Sequence, residues 1–185
     1  MSRAAESSIL TAWTLSQRND VAREFTLAGF ALHLEGLAVQ GPEVTELIAS
    51  EGAALIRDRA KHKIGHYQDA SGPFNAWAPL ADSTEAEKAR LGAPLGAPLL
   101  RHGGLYASIE DRVQTDGLEA VATVGTPSVI GVYQEQGTDR IPPRPFLGPA
   151  ALESGKPIAE LAGDTVISWL CGERWLRSLQ RIKLP

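Results

Sequence analysis

His62 and His66 are the residues whose spacing most directly suggests chemistry. They stand four positions apart, which would place both imidazoles on one side of a helix, the geometry that two zinc ligands need. With a nearby acid, Asp58 or Asp69, the pair would make a metal-dependent hydrolase. Against this, Gly65 interrupts the helical pattern and no HExxH glutamate lies between the histidines. Ordinary surface histidines are the competing interpretation.

Nucleophilic catalysis has little support in the sequence. Ser108, Ser128 and Cys171 are the conceivable nucleophiles, but none lies in a GxSxG elbow. Neither a Walker loop nor a GxGxxG motif is present. We therefore expect a protein that is not an enzyme and that uses no cofactor and no metal.

A row of basic residues offers a second kind of chemistry, namely contact with phosphate. The row would make a DNA-facing surface or a nucleic-acid-binding module. Asp58 lies among these residues, and a basic helix C-terminus is already favoured by the helix dipole. The residues are Arg57, Arg59, Lys61 and Lys63.

Composition sets the broad class. The chain has 185 residues, 43% of them hydrophobic, which is enough for a core. Its formal charge of −4 offers no global attraction to nucleic acid or to anionic lipid. Cys171 is the one cysteine, so an internal disulfide is excluded. No signal peptide and no apolar run of membrane-spanning length is apparent, so we expect no membrane contact.

Hydrophobic periodicity predicts a helical hairpin at the start of the domain. Apolar residues recur at helical intervals from Asn19 to Gln40, and Asn19 or Asp20 would be the N-cap. Gly41-Pro42 is expected to end this first helix, because proline disfavours a helical residue before it. A second helix would then run from Pro42 to Lys63.

The rest of the chain predicts an α+β fold with a small antiparallel sheet and a C-terminal helix. Residues 1–18 would be an N-terminal arm and 19–185 a single domain. Within the domain we expect a long ordered Gly/Pro-rich loop, a β-hairpin turning at Asp116-Gly117, a short helix and a final helix. The loop is expected over 65–104, with a helix from Ser83 to Arg90. The hairpin is expected over 105–125, with strands from Leu105 to Gln114 and from Leu118 to Gly125. The short helix is expected from Ser128 to Glu135 and the final helix over 157–183.

Residues 133–150, YQEQGTDRIPPRPFLGPA, combine a glycine-ended turn with a stiff exit. Gly137 permits a backbone angle that other residues resist, while the prolines fix an extended strand. Phe146 and Leu147 would then fill an apolar pocket. On that strand Arg144 would make a bidentate contact with a carboxylate, and Glu135 is one candidate partner, inside the subunit or across an interface.

Four fragments of the chain form an ordered set of motifs. They are YQDASGPFNAWAPLADSTEAEKARLG, PLLRHGGLYASIEDRV, ATVGTPSVIGVYQEQGT and IPPRPFLGPA. In this order they resemble a family of minor virion proteins that complete the neck or tail of tailed bacteriophages, and the likeness covers about residues 20–152. Two departures from the family pattern are His102, where a small hydroxyl residue is usual, and Gln136 in the E-x-G-T motif.

The resemblance implies a structural subunit that forms a homo-oligomeric ring at the head-tail junction. Its implied partners are other phage neck, connector and tail proteins, with passive contact to genomic DNA or to the tape-measure protein. Its implied location is the virion, and the bacterial host cytoplasm during assembly. The expected interface residues are Tyr133, Glu135, Gly137, Thr138, Arg144, Pro145, Phe146 and Leu147.

Overall fold

The computed structural model describes residues 26–172. Five helices and one two-stranded antiparallel sheet make up this part of the chain, so the predicted α+β class is confirmed. The expected arm 1–18 and the end of the expected C-terminal helix beyond residue 172 lie outside the described residues. In chain order the elements are α1 (Leu27–Lys63), α2 (Asp82–Leu91), α3 (Gly104–Ser108), β1 (Glu110–Asp116), β2 (Glu119–Gly125), α4 (Val129–Gln136) and α5 (Leu147–Leu170).

The predicted helical hairpin is wrong, because α1 is one helix of 37 residues that contains Pro42. Thr26 caps its first turn by accepting a hydrogen bond from the amide of Gly29 at 3.1 Å. Asn19 and Asp20, the expected caps, lie outside the described residues. The helix therefore begins later than expected and does not stop at Gly41-Pro42.

Tertiary packing explains why α1 continues through Pro42. A proline inside a helix costs about 3 kcal/mol, since it removes one hydrogen bond and crowds the preceding turn. The carbonyl that loses its donor belongs to Ala38, which is exposed, so solvent can hydrogen-bond it. On both sides of the proline the helix is held by packing, with Gly41 and Val44 buried. Burial of this kind outweighs local propensity.

Helix α5 also contains a proline, and it begins earlier than predicted. It starts at Leu147 rather than near Pro157, and Pro157 lies in its interior. It ends at Leu170, and Gly172 follows in the left-handed region with φ +66°. Helix α5 runs antiparallel to α1, since Leu170 lies beside His33 and Glu153 beside Lys63.

The β-hairpin forms as predicted, but its turn lies at Gly117-Leu118, one residue after the expected Asp116-Gly117, and its first strand is shorter. Strand β1 pairs with β2 from Glu110 opposite Gly125 to Asp116 opposite Glu119. Gly117, with φ +58°, supplies the positive backbone angle that the tight turn requires. The segment expected to open the first strand, from Leu105 to Ser108, is helical and belongs to α3. Both strands pack against α1.

The core lies where α1, α5 and the loop between α1 and α3 meet. Phe146 is its largest fully buried side chain, and it packs with Trp77 from the loop and with Ile109 at the start of the hairpin. The indole Nε1 of Trp77 donates to the carbonyl of Pro145 at 3.1 Å. The long loop is thus ordered by an aromatic residue, and it contains α2 as expected.

Replacing Phe146 with alanine is expected to destabilise the chain by about 3–5 kcal/mol, because the ring is fully buried in the core. Tyr133→Ala is the control, since that ring is 48% exposed, and its cost should stay near or below about 1 kcal/mol. Urea unfolding of both variants, followed by circular dichroism, measures the difference. Equal costs would contradict the assignment of Phe146 to the core.

Candidate assembly surface

The turn after α4 is built around Gly137. Its φ of +76° lies in the left-handed region, and its amide donates to the carbonyl of Tyr133 at 2.9 Å. A Cβ at this position would lie 2.9 Å from the nitrogen of Pro143 and 3.0 Å from the carbonyl oxygen of Ile141. The predicted need for glycine is therefore confirmed. Thr138 closes the next turn, where its hydroxyl accepts from the amide of Ile141 at 3.1 Å.

Glu135 holds the first turn of α5. Its Oε2 accepts from the amides of Phe146 at 2.8 Å and Leu147 at 3.1 Å, and its Oε1 accepts from the amide of Gly148 at 2.8 Å. These donors have no partners inside the helix, and a carboxylate also complements the positive end of the helix dipole. Phe146, the N-cap, offers no side-chain acceptor. A residue of α4 therefore does the capping of α5.

Arg144 does not pair with Glu135, so the predicted contact with a carboxylate is wrong in this subunit. Its Nη2 donates instead to the carbonyls of Ala78 at 3.0 Å and Pro79 at 3.1 Å. Arg144 is buried, and this burial lowers the pKa of its guanidinium. Its Nε has no hydrogen-bond partner within residues 26–172. Arg144 thus fixes the long loop against the proline-rich segment.

Most of the expected interface residues serve the interior of the subunit. Pro145 and Phe146 are buried, and Leu147 packs against the core. Together with Glu135 and Arg144 they join α4, the long loop and α5. The segment 133–150 is therefore a rigid corner within the described chain, and the interface role expected for these residues stays a prediction.

Tyr133 differs from these residues, because it lies on the outer side of α4. This helix is anchored on its inner side by Glu135 and by Gly131, where a Cβ would come within 2.4 Å of Thr126. We call the apolar outer side of the helix the α4 face. Its members are about half exposed, and their i, i+3 and i+4 spacing is the signal that the sequence reasoning missed. They are Val129, Ile130, Val132 and Tyr133.

An apolar groove of about 830 Å³ lies between α1, β2 and α5. Small residues dominate its floor, among them Ala49 and Gly52 on α1 and Ala122 on β2. Ile158 of α5 approaches closely because Gly52 has no side chain; a Cβ there would lie 3.4 Å from it. Glu119 is the one charged residue that lines the groove. Such a groove has the shape and chemistry to receive bulky apolar side chains.

The predicted DNA-facing row is largely engaged inside the subunit. Arg57 contacts Asp58 at 2.7 Å and Asp111 of β1 at 2.6 Å, and the hydrogen bond to Asp58 raises the pKa of Arg57. Lys61 lies over the ring of Tyr106 with its Nζ 5.4 Å from the centroid. These contacts tie α1 to the hairpin and to α3.

Arg59 and Lys63 both bind Glu153, a residue of α5. Pro157 has no amide hydrogen, so the carbonyl of Glu153, four residues earlier, loses its helical donor. Arg59 supplies the missing bond, since its Nη1 donates to that carbonyl at 2.5 Å. Lys63, which is 8% exposed, contacts the carboxylate of Glu153 at 2.8 Å. The basic end of α1 therefore stabilises the proline-containing helix.

The histidine pair of the hydrolase alternative does not share a helix face as expected, because His62 lies in the last turn of α1 and His66 lies beyond the end of the helix at Lys63. The rings of His62 and His66 stack with centroids 5.5 Å apart, and Nδ1 of His66 lies 3.1 Å from the carbonyl oxygen of His62. Asp58, a proposed third group, contacts Arg57, and Asp69 is exposed. Between residues 26 and 172, no three His, Cys, Asp or Glu residues are grouped closely enough to hold a metal ion.

Comparisons with family models, curated proteins and solved structures find no match to this chain. None of the helices in the described range combines the length and the apolar character needed to cross a bilayer. The candidate site is therefore defined by geometry, namely the exposed α4 face on its rigid corner and the apolar groove beside α5.

Glu135→Ala should destabilise the chain by about 2 kcal/mol, because three amides of α5 lose a charged acceptor. Glu135→Gln, which keeps an acceptor oxygen without the charge, should fall between this variant and the native chain. Chemical denaturation monitored by tryptophan fluorescence gives the free energies of unfolding. Gln136→Ala, at an exposed neighbouring position, is the matched control, and an equal loss in both alanine variants would refute the capping role.

Arg59→Met and Pro157→Ala are expected to be coupled. In the native chain Arg59→Met removes the donor to the carbonyl of Glu153, whereas Pro157→Ala restores an amide that can bond the same carbonyl. The loss caused by Arg59→Met should therefore be smaller in the Pro157→Ala background, by about 1 kcal/mol. A double-mutant cycle measured by urea unfolding provides the coupling energy. Additive effects would contradict this role of Arg59.

Proposed function

We propose that this chain is a structural subunit of a tailed-bacteriophage virion, located at the head-tail junction. Copies form a ring that joins or completes the tail. The observation that carries the proposal is the α4 face, a patch of apolar side chains presented outward by a helix whose inner side is fixed. Exposed apolar patches on a rigid support are typical of protein interfaces.

Ring formation needs two different patches on each subunit, so that one patch of each copy meets the other patch of the next. The α4 face supplies the first patch. The apolar groove is our candidate for the second, because its small side chains leave about 830 Å³ for the larger residues of a neighbour. Tyr133 is suited to anchor such a contact, since its ring offers apolar area and its hydroxyl a polar end.

The rigid corner supports this assignment through its effect on entropy. Gly137, the prolines and the contacts of Glu135 and Arg144 order the segment before any partner binds. Less conformational freedom is then lost when subunits associate, and more of the apolar contact energy is available for binding. Most of the residues expected at the interface thus do not contact the neighbour themselves. They position α4, which does.

The other proposed partners are phage neck, connector and tail proteins, with DNA or the tape-measure protein passing through the ring. Contact with DNA would be passive, because Arg57, Arg59 and Lys63 are engaged within the subunit. The proposed location is the virion, after assembly in the bacterial cytoplasm. A role in assembly requires no catalytic group.

Val132→Asp tests the proposal at the α4 face. The substitution places a charge in the middle of the proposed interface, while Val132 is 48% exposed and contributes little to the core. We expect an unchanged thermal melt, a loss of joined particles of at least about tenfold, and an accumulation of unjoined heads and tails in electron micrographs of lysates.

Gln114→Asp is the matched control, because it introduces the same charge at an exposed polar position of β1, outside the α4 face. It should leave particle joining near the native level. Joined, infectious particles in normal numbers with Val132→Asp would exclude the α4 face. Joined, infectious particles in the complete absence of the chain would exclude the head-tail function itself.

A further inference from the structure

The first part of α1 carries an apolar seam with the spacing of a coiled coil. Residues at alternating intervals of four and three lie along one side of a helix and accept a second helix. We call the first four of these positions the N-terminal seam. All four are exposed, Leu27 at 88% and Leu34 at 48%. They are Leu27, Ala31, Leu34 and Ala38.

The same spacing continues into parts of α1 that are covered. The next positions are Gly41, Thr45, Ile48 and Gly52. Gly41 is approached by Leu118 at the tip of the hairpin, and the last three line the apolar groove. The hairpin and α5 thus cover only the second part of the seam, and the N-terminal seam remains a site for another segment.

The formally charged side chains of α1 from the N-terminal seam to Ile56 are all glutamates, and Glu35 is the one that lies within the seam, between Leu34 and Ala38. Between Leu27 and Ile56, α1 contains four glutamates and neither lysine nor arginine. Glu35, Glu43 and Glu46 among them are exposed. A segment that combines apolar residues at helical spacing with positive charge would therefore fit this surface.

We propose that residues 173–185 of the same chain dock on the N-terminal seam. Their sequence is ERWLRSLQRIKLP, in which Trp175, Leu179 and Ile182 follow the same intervals of four and three. Three arginines and one lysine against one glutamate give the segment a formal charge of +3. Its chemistry thus complements both the apolar and the acidic character of the surface.

The end of α5 places this segment beside the seam. The carbonyl of Leu170 lies 3.1 Å from Nε2 of His33, one residue before Leu34. Gly172 then adopts φ +66° and donates its amide to the carbonyl of Trp169, the geometry that ends a helix and changes the direction of the chain. The 13 residues that follow would span about 20 Å as a helix, close to the roughly 17 Å from Leu27 to Ala38.

Trp169 provides a second indication at the same place. Its ring lies 3.9 Å from the Cβ position of Gly41, where the N-terminal seam meets the hairpin. The indole Nε1 is buried and has no acceptor among residues 26–172. A buried donor of this kind normally finds a partner. A segment docked on the N-terminal seam would bring backbone carbonyl and side-chain oxygens close to Gly41 and Trp169, where they could accept a hydrogen bond from this indole.

A disulfide between Leu34→Cys and Leu179→Cys, in a Cys171→Ser background of the full chain, tests the docking. Mild oxidation is expected to link the two cysteines within one chain, giving a monomer of altered mobility on a non-reducing gel and the corresponding linked peptide by mass spectrometry. The control pairs Leu179→Cys with Leu32→Cys, which is 68% exposed. Leu32 is two residues from Leu34 and so lies at a similar distance from Gly172, but on the opposite side of α1.

The outcomes separate the occupants of the seam. Intrachain linkage in the test pair alone supports the proposal. Disulfide-linked dimers would assign the seam to a second copy and overturn it, and equal linkage in both pairs or none in either would do the same. The isolated chain suffices for this experiment, so its result is independent of the head-tail function.

Charge reversal provides a second measurement that introduces no cysteine. Arg177→Glu with Arg181→Glu should repel the acidic surface of α1, and amide hydrogen exchange in residues 27–40 should become about tenfold faster. Lys156→Glu is the control, since its side chain is 87% exposed on α5, and it should leave this exchange unchanged. Unaltered exchange in the double variant would count against the docking.

Discussion

The carboxylate of Glu135 is the contact on which the second half of the molecule depends. It satisfies three amides at the start of α5, where the N-cap residue Phe146 has no acceptor of its own. The position of that helix start fixes the ring of Phe146 in the core, and the same contact fixes α4 from its inner side. One side chain therefore couples the packing of the interior to the orientation of the outer α4 face.

The two long helices illustrate how tertiary contacts replace missing local ones. Each contains a proline, and each proline leaves a carbonyl four residues earlier without its helical donor. In α5 that carbonyl belongs to Glu153 and is bonded by Arg59 of α1. In α1 it belongs to Ala38, at an exposed position. The antiparallel pair is thus a scaffold that neither helix would form so well alone.

Rules that depend only on neighbouring residues correctly predicted the glycines with positive φ. Gly117 and Gly137 were expected to adopt positive φ because tight turns demand it, and both do. The predictions that were wrong depended on contacts between residues distant in the sequence. Local rules predict that Pro42 ends a helix, yet α1 continues through it because the residues on both sides are packed. Glu135 was expected to pair with Arg144 by charge, but the amides of a helix not expected to begin there are its partners. The outer α4 face was missed because its i, i+3 and i+4 apolar spacing is the same as that of a helix side that faces the core.

Paired charges and exposed apolar side chains occupy different places in the described residues. Arg57 and Lys63 bind carboxylates inside the subunit, while the residues with large exposed apolar side chains, such as Val132 and Leu27, point outward. A surface that bound phosphate would weaken steeply with added salt, because binding would release counterions. Under the proposed function, contacts of the α4 face with a neighbouring copy would bury apolar area instead, and their strength would change little over the same range. The exposed apolar residues, rather than the paired charges, are therefore the surface that the proposed assembly would use.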